Sequence, residues 1–128
     1  MAKDSSKTMA VRLGDKKYYV CSIEEALKKK SGTRVCVKGR VKGKVIIEVR
    51  RAGWPFSWGS RHIEKDHYHV TKFYLENLQV IYEGIALLKD KDEVKVYGKV
   101  ETEADLGRVY RVLYADRIEL DDVIYSVG

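Results

Sequence analysis

Two segments of this chain spell the same pattern, Val-x-Val-x-Gly-x-Val: VCVKGRV at 35–41 and VKVYGKV at 94–100. Alternation with a period of two sets the valines on one side of a strand and the polar residues on the other. A glycine inside such a run marks a place where a side chain would stop the strand from bending over a core. In the first copy Val35, Val37, Gly39 and Val41 share one face, and Arg34, Cys36, Lys38, Arg40 and Lys42 share the other. This is the grammar of a half-buried antiparallel strand. Beyond Gly43 the alternation resumes, with Val45, Ile47 and Val49 opposite Lys44, Ile46, Glu48 and Arg50. Gly43 is either a bend or bulge in one long strand, the preferred reading, or half of a hairpin turn with Lys42.

The rest of the chain follows the same β logic around one capped helix. Residues 1–8 are polar and expected to fray. MAVRLGDKKYYV reads as two short apolar stretches around a Gly14 and Asp15 turn. Ser22, Ile23, Glu24 and Glu25 form a capping box opening the helix EEALKKK, which the pattern carries to Gly32. VTKFYLEN and LQVIYEG read as strands joined by a turn at Glu76 and Asn77, and GIALLKDKDE as a short connection. A loop, TEADLGR, leads to the final strand RVYRVLYADRIEL, whose alternation slips at Ala115, Asp116 and Arg117 and predicts a bulge there. The tail DDVIYSVG has no assigned place. At 128 residues, one domain over 1–128 is expected, with a strand-and-helix extension at 9–32 and the β-structure proper at 33–121.

Residues 50–69 stand apart. RRAGWPFSWGSRHIEKDHYH holds both tryptophans, all three histidines and the only proline, and it fits no helical or strand period. Aromatics interleaved with cations suit the stacking of unpaired bases beside phosphates; the alternative is a lid whose tryptophans fold back on the core. Trp54, Phe56 and Trp58 are the stacking candidates, with His67 and Tyr68 in the same stretch. Tyr74 and Tyr82, on strands, are weighed evenly between stacking and packing. Lys38, Arg40, Lys42, Lys44, Arg50, Arg51 and Arg61 would track a phosphate backbone. Between 33 and 51 there are seven cations and one acid, Glu48, and the whole chain carries +6, which favours anionic partners.

Taken together, SIEEAL…RVCVKGRVKG, KFYLENLQVIYEG and DEVKVYGKVE…RVLYADRIEL resemble the oligonucleotide-binding (OB) fold over roughly residues 20–121. The likeness is to the class that includes replication protein A-type single-stranded-DNA-binding and tRNA anticodon-binding domains. It rests on the strand glycines and an Ala-x-x-Ile near the end of the last strand. The usual Asp-x-x-Gly hairpin is replaced by Glu76 and Asn77, and the loop between the first two barrel strands is long. The Tyr-x-Gly of VIYEG also resembles haem-chaperone members, yet no haem-attaching histidine follows the last strand. The resemblance implies a mostly β, five-stranded Greek-key barrel with an N-terminal helix. Ligand would lie across its second and third strands, gripped by the aromatic loop and by residues 102–108.

The expected function is single-stranded DNA or RNA binding with little sequence preference. The alternative is an interaction subunit of a replication or repair assembly, in which the aromatic loop anchors a protein partner or a second copy. No nucleophile elbow, phosphate-cradling loop or Cys-His pair points to an enzyme, and no cofactor is implied. His62, His67 and His69 lack the spacing of a structural zinc site. Cys21 and Cys36 share no metal-ligand spacing either. Apolar runs are too short to cross a bilayer, so a soluble, cytoplasmic protein without a membrane partner is expected. Asparagine and glutamine occur once each, at Asn77 and Gln79, a bias that fits a thermophilic source.

Overall fold

The computed structural model describes residues 9–51 and 67–126. Its strands are β1 (Met9–Leu13), β2 (Lys16–Val20), β3 (Arg34–Arg51), β4 (His67–Leu75), β5 (Leu78–Tyr82), β6 (Glu93–Asp105), β7 (Arg108–Leu120) and β8 (Val123–Ser126), with one short helix, α1 (Ile23–Ala26). Eight strands therefore replace the five expected. The sheet runs β1-β2-β3-β4-β5-β7-β6, and a further pairing of β3 with β6 closes β3, β4, β5, β7 and β6 into a ring. All ring pairings are antiparallel except β5 with β7, which is parallel. β1, β2 and β8 are the additional strands.

The long strand bends as its sequence demands. β3 spans 18 residues, pairing with β6 from Arg34 to Arg40 and with β4 from Val41 to Arg51. The register with β4 slips between Lys42 and Ile46, at Gly43, whose φ of +83° few other residues adopt. One strand thus serves two neighbours, because two extra residues re-aim it halfway. The second matched glycine is needed for a different reason: a Cβ on Gly98 would collide with the Tyr114 carbonyl and the Ala115 Cα. Opposite it, Tyr97 pairs with Arg117 but Gly98 with Ala115, so Asp116 is the bulged residue of β7, where the alternation predicts it.

The core fills the ring. Val35, Val37 and Val41 of β3 meet Phe73 and Leu75 of β4, Leu78 and Val80 of β5, Val94, Val96 and Val100 of β6, and Leu113 and Ile118 of β7. Each contributes about 1.5–3 kcal/mol when fully buried. Thr71 is the buried polar side chain among the described residues, and it is satisfied: its hydroxyl donates to the Gly84 carbonyl at 2.7 Å and accepts from the Ala86 amide at 3.1 Å.

Three expectations are corrected here. The N-terminal helix shrinks to a single turn. Its capping box forms, with Glu25 N–H donating to Ser22 Oγ at 3.0 Å and Ser22 N–H to Glu25 Oε1 at 2.9 Å. Past Leu27, however, Lys28 and Lys29 make only i→i−3 bonds, and the Lys29 carbonyl is taken by the Arg111 guanidinium. The long loop is shorter than residues 50–69, because β3 runs to Arg51 and β4 begins at His67. Residues 102–108 are not a loop but a ladder carried to Asp105 opposite Arg108, turning on Leu106 (φ 50°) and Gly107 (φ 80°). The tail finds its place as β8, antiparallel to the end of β7. Among the described residues no helix is long and apolar enough to cross a membrane.

Candidate nucleic-acid interface

Sheet register sets a row of side chains across the outside of the ring. Lys42 of β3 lies opposite Tyr74 of β4, Tyr74 opposite Gln79 of β5, and Gln79 opposite Val112 of β7. Directly opposed residues share a face, so Lys42, Tyr74 and Gln79 present together. The β6–β7 hairpin reaches past the ring beside them and brings Arg108 and Tyr110. Between the two lies a groove of about 480 Å³, bordered by Leu27 and Arg111 on one side and Leu106 at the hairpin tip. Such a volume falls in the usual range for small-ligand sites, about 300–1,000 Å³, which suits a nucleotide rather than a duplex.

Most of the groove's polar side chains make no polar contact among the described residues, and the Asp105 carboxylate lines it too. Tyr74 is 48% exposed and Tyr110 42%. Among the described residues, none of the Tyr74 and Tyr110 hydroxyls, the Asn77 and Gln79 amides or the Arg108 guanidinium makes a hydrogen bond or ion pair. Arg111 differs, being spent on the Lys29 carbonyl. Aromatic faces, amide edges and a cation in one groove can stack a base, read its edge and hold a phosphate.

The basic face of β3 is less available than its sequence implies. Lys38, Arg40, Lys42 and Lys44 are all exposed, but folding brings acids from distant turns beside them. Arg40 Nη2 lies 3.4 Å from Glu93, and its N–H donates to Glu76 Oε2 at 3.2 Å. Gly43 N–H donates to Asp90 Oδ1 at 2.7 Å. Glu76 also donates its own N–H to the Arg40 carbonyl, a double clamp that holds its φ at +58°. That clamp explains why the β4–β5 turn works without glycine. Of the four cations, Lys42 is the one in register with the groove.

Other candidates divide. Tyr82 is 4% exposed in the core, where burial pushes its phenol up, so it packs rather than stacks. Tyr68 is half-buried beside His69, Glu83 and Ile85 in a separate shallow pocket. Arg50, Arg51 and His67 lie on the paired ends of β3 and β4, with their side chains outside the described residues, as are Trp54, Phe56, Trp58 and Arg61. Asn77, Gln79 and Tyr110 were not singled out by pattern, and Arg108 entered only as the end of the gripping stretch 102–108. The one signal for two of them was their rarity, a single asparagine and a single glutamine in the chain.

Two neighbouring surfaces bound the groove. Further along β5 and β7, Glu83, Glu101, Glu103 and Asp116 gather around Tyr114 and Lys99, and the Tyr114 hydroxyl donates to Glu103 at 2.6 Å. A polyanion would be repelled there. Across β3 and β6 the β1–β2 hairpin covers the ring. Tyr18 packs edge-on against Tyr97, centroids 5.6 Å apart, with Cys36 beside them. The Tyr18 hydroxyl donates to the bulged Asp116 at 2.6 Å. Burial, reinforced by Asp116, raises the Tyr18 pKa; burial, with Cys36 and Glu119 adding, pushes Tyr97 up to about 12. Among the described residues no group of His, Cys, Asp and Glu is placed to hold a metal ion. No protein-family model matches the chain, and no curated protein is similar to it.

Proposed function

We propose that this chain binds single-stranded nucleic acid across the outer face of β4 and β5, as an OB-type barrel does. The observation that carries the reading is the groove whose Tyr74, Gln79, Tyr110 and Arg108 side chains engage nothing among the described residues. The strand order supports it: the ring β3-β4-β5-β7-β6, with β5 and β7 parallel, is the order of a five-stranded Greek-key barrel of that type. In such barrels the second and third strands and two flanking connections contact oligonucleotides. On that reading β4 and β5 would be those strands, and the connections would be the β6–β7 hairpin and the stretch 52–66 with its tryptophans. Labelled oligo-dT and oligo-U at low salt should both bind in the micromolar range, with affinity falling steeply as salt rises. Absence of binding to both at tens of micromolar protein would end the proposal.

A second reading, docking on a protein, is favoured by the hairpin tip. Leu106 is 92% exposed and Val109 70%, and Leu106 occupies a left-handed turn position that suits glycine or asparagine better. If Leu106→Asn leaves oligonucleotide affinity intact but releases a co-purifying partner, the tip belongs to that second role.

A further inference from the structure

We infer that the groove selects adenine, with Gln79 reading the base edge while Tyr74 stacks on its face. The inference rests on the nucleic-acid reading above and sharpens it, since stacking and phosphate contacts alone are indifferent to sequence.

A carboxamide offers one donor and one acceptor side by side. Asn77 and Gln79 are the only carboxamides in the chain, and both line this groove. Gln79 is half-buried and stands opposite Tyr74 in the β4–β5 register. Its amide meets no partner among the described residues and is free of them to turn towards a ligand. A base stacked on the Tyr74 ring would present its edge towards the neighbouring strand, where Gln79 stands. On the edge that carries N7, adenine alone sets a donor beside an acceptor, N6–H with N7, where guanine offers two acceptors, and glutamine is a common bidentate partner of that edge. Arg108, on the hairpin across the groove, is left for the phosphate. The carboxylates Glu83, Glu101, Glu103 and Asp116 further along β5 and β7 confine the strand, so one base is read rather than a run.

The test compares oligo-thymidine strands carrying a single central adenine, guanine or cytosine with the unsubstituted strand, by fluorescence anisotropy at fixed salt. The adenine strand should bind about tenfold tighter than the others, the order expected for one bidentate pair. Gln79→Leu and Gln79→Glu should each bring the ratio of adenine-strand to thymidine-strand affinity, measured on the same variant, down to about one. Chemical unfolding of each variant, expected to match wild type, shows that the barrel is intact. Equal affinity for all four strands overturns adenine selection but leaves the binding reading standing; no binding to any overturns both. A preference for guanine, or an adenine preference that survives Gln79→Leu, moves the reading residue elsewhere and also overturns the inference.

Discussion

Tyr97, under the β1–β2 hairpin, and Tyr18, on the hairpin's own inner face, are 4% and 2% exposed, whereas Tyr74 and Tyr110, on the outside of the same ring, are 48% and 42% exposed. Tyr97, Tyr74 and Tyr110 are all rings on an outer sheet surface. The first pair closes on itself, Tyr18 against Tyr97, and has a polar end engaged, Tyr18 with Asp116. The second is flanked by amides and a guanidinium that engage nothing among the described residues. The difference separates tyrosines that hold the fold together from tyrosines available to a ligand, and residue type alone does not distinguish them.

The sharpest way to break the comparison is to delete a ring on each side. Tyr18→Ala removes a fully buried aromatic and should cost about 3–5 kcal/mol of stability in urea unfolding. Tyr74→Ala should instead leave stability within about 0.5 kcal/mol and weaken oligonucleotide binding by roughly 1–3 kcal/mol. If the two effects are reversed, the assignment of the two faces is wrong.

A finer cut removes one hydroxyl. Tyr18→Phe strands the Asp116 carboxylate and should destabilise by about 1–3 kcal/mol. It should also change the alkaline limb of the stability profile. The folded protein holds the Tyr18 and Tyr97 protons more tightly than the unfolded chain, in which tyrosine titrates near pH 10. That stabilisation is whole below about pH 10 and is lost as pH rises through the folded-state values. Urea midpoints measured from about pH 8 upward should fall less steeply for Tyr18→Phe than for wild type.

The smallest expected effect concerns single cations. Lys42 is in register with Tyr74, while Lys38 pairs with Lys95 on the far side of β3. Lys42→Ala should lower the slope of log affinity against log salt by about 1, the signature of one lost phosphate contact. Lys38→Ala should leave that slope unchanged.

Much of the ring was legible because its strands obey period two. Val35, Val37 and Val41 point inward as written, Gly43 bends one long strand, and the slip at Asp116 is a bulge. The N-terminal helix was not legible, since its end is fixed by Arg111, a residue far along the chain that captures the Lys29 carbonyl. The site was the least legible part. The cations of β3 form a dense local run, but folding alone brings Glu93 to the Arg40 guanidinium and sets Glu76 and Asp90 on the strand's own amides at Arg40 and Gly43. Conversely, Gln79 and Tyr110 look ordinary in sequence and become neighbours of one groove only because β5 pairs with β7 and the β6–β7 hairpin overhangs them.

Asp116 has one more consequence, for what lengths of this chain can survive. It is the extra residue between Ala115 and Ile118, both of which face the core. Because sidedness alternates with every residue, excising Asp116 would leave Ala115 and Ile118 facing the core with Arg117 outward between them, a regular ladder that keeps β8 in register but lacks the acceptor for the Tyr18 hydroxyl. A one-residue deletion at the bulge therefore disturbs the core less than one within the regular pairing of Val109 to Leu113, where it would turn core residues outward.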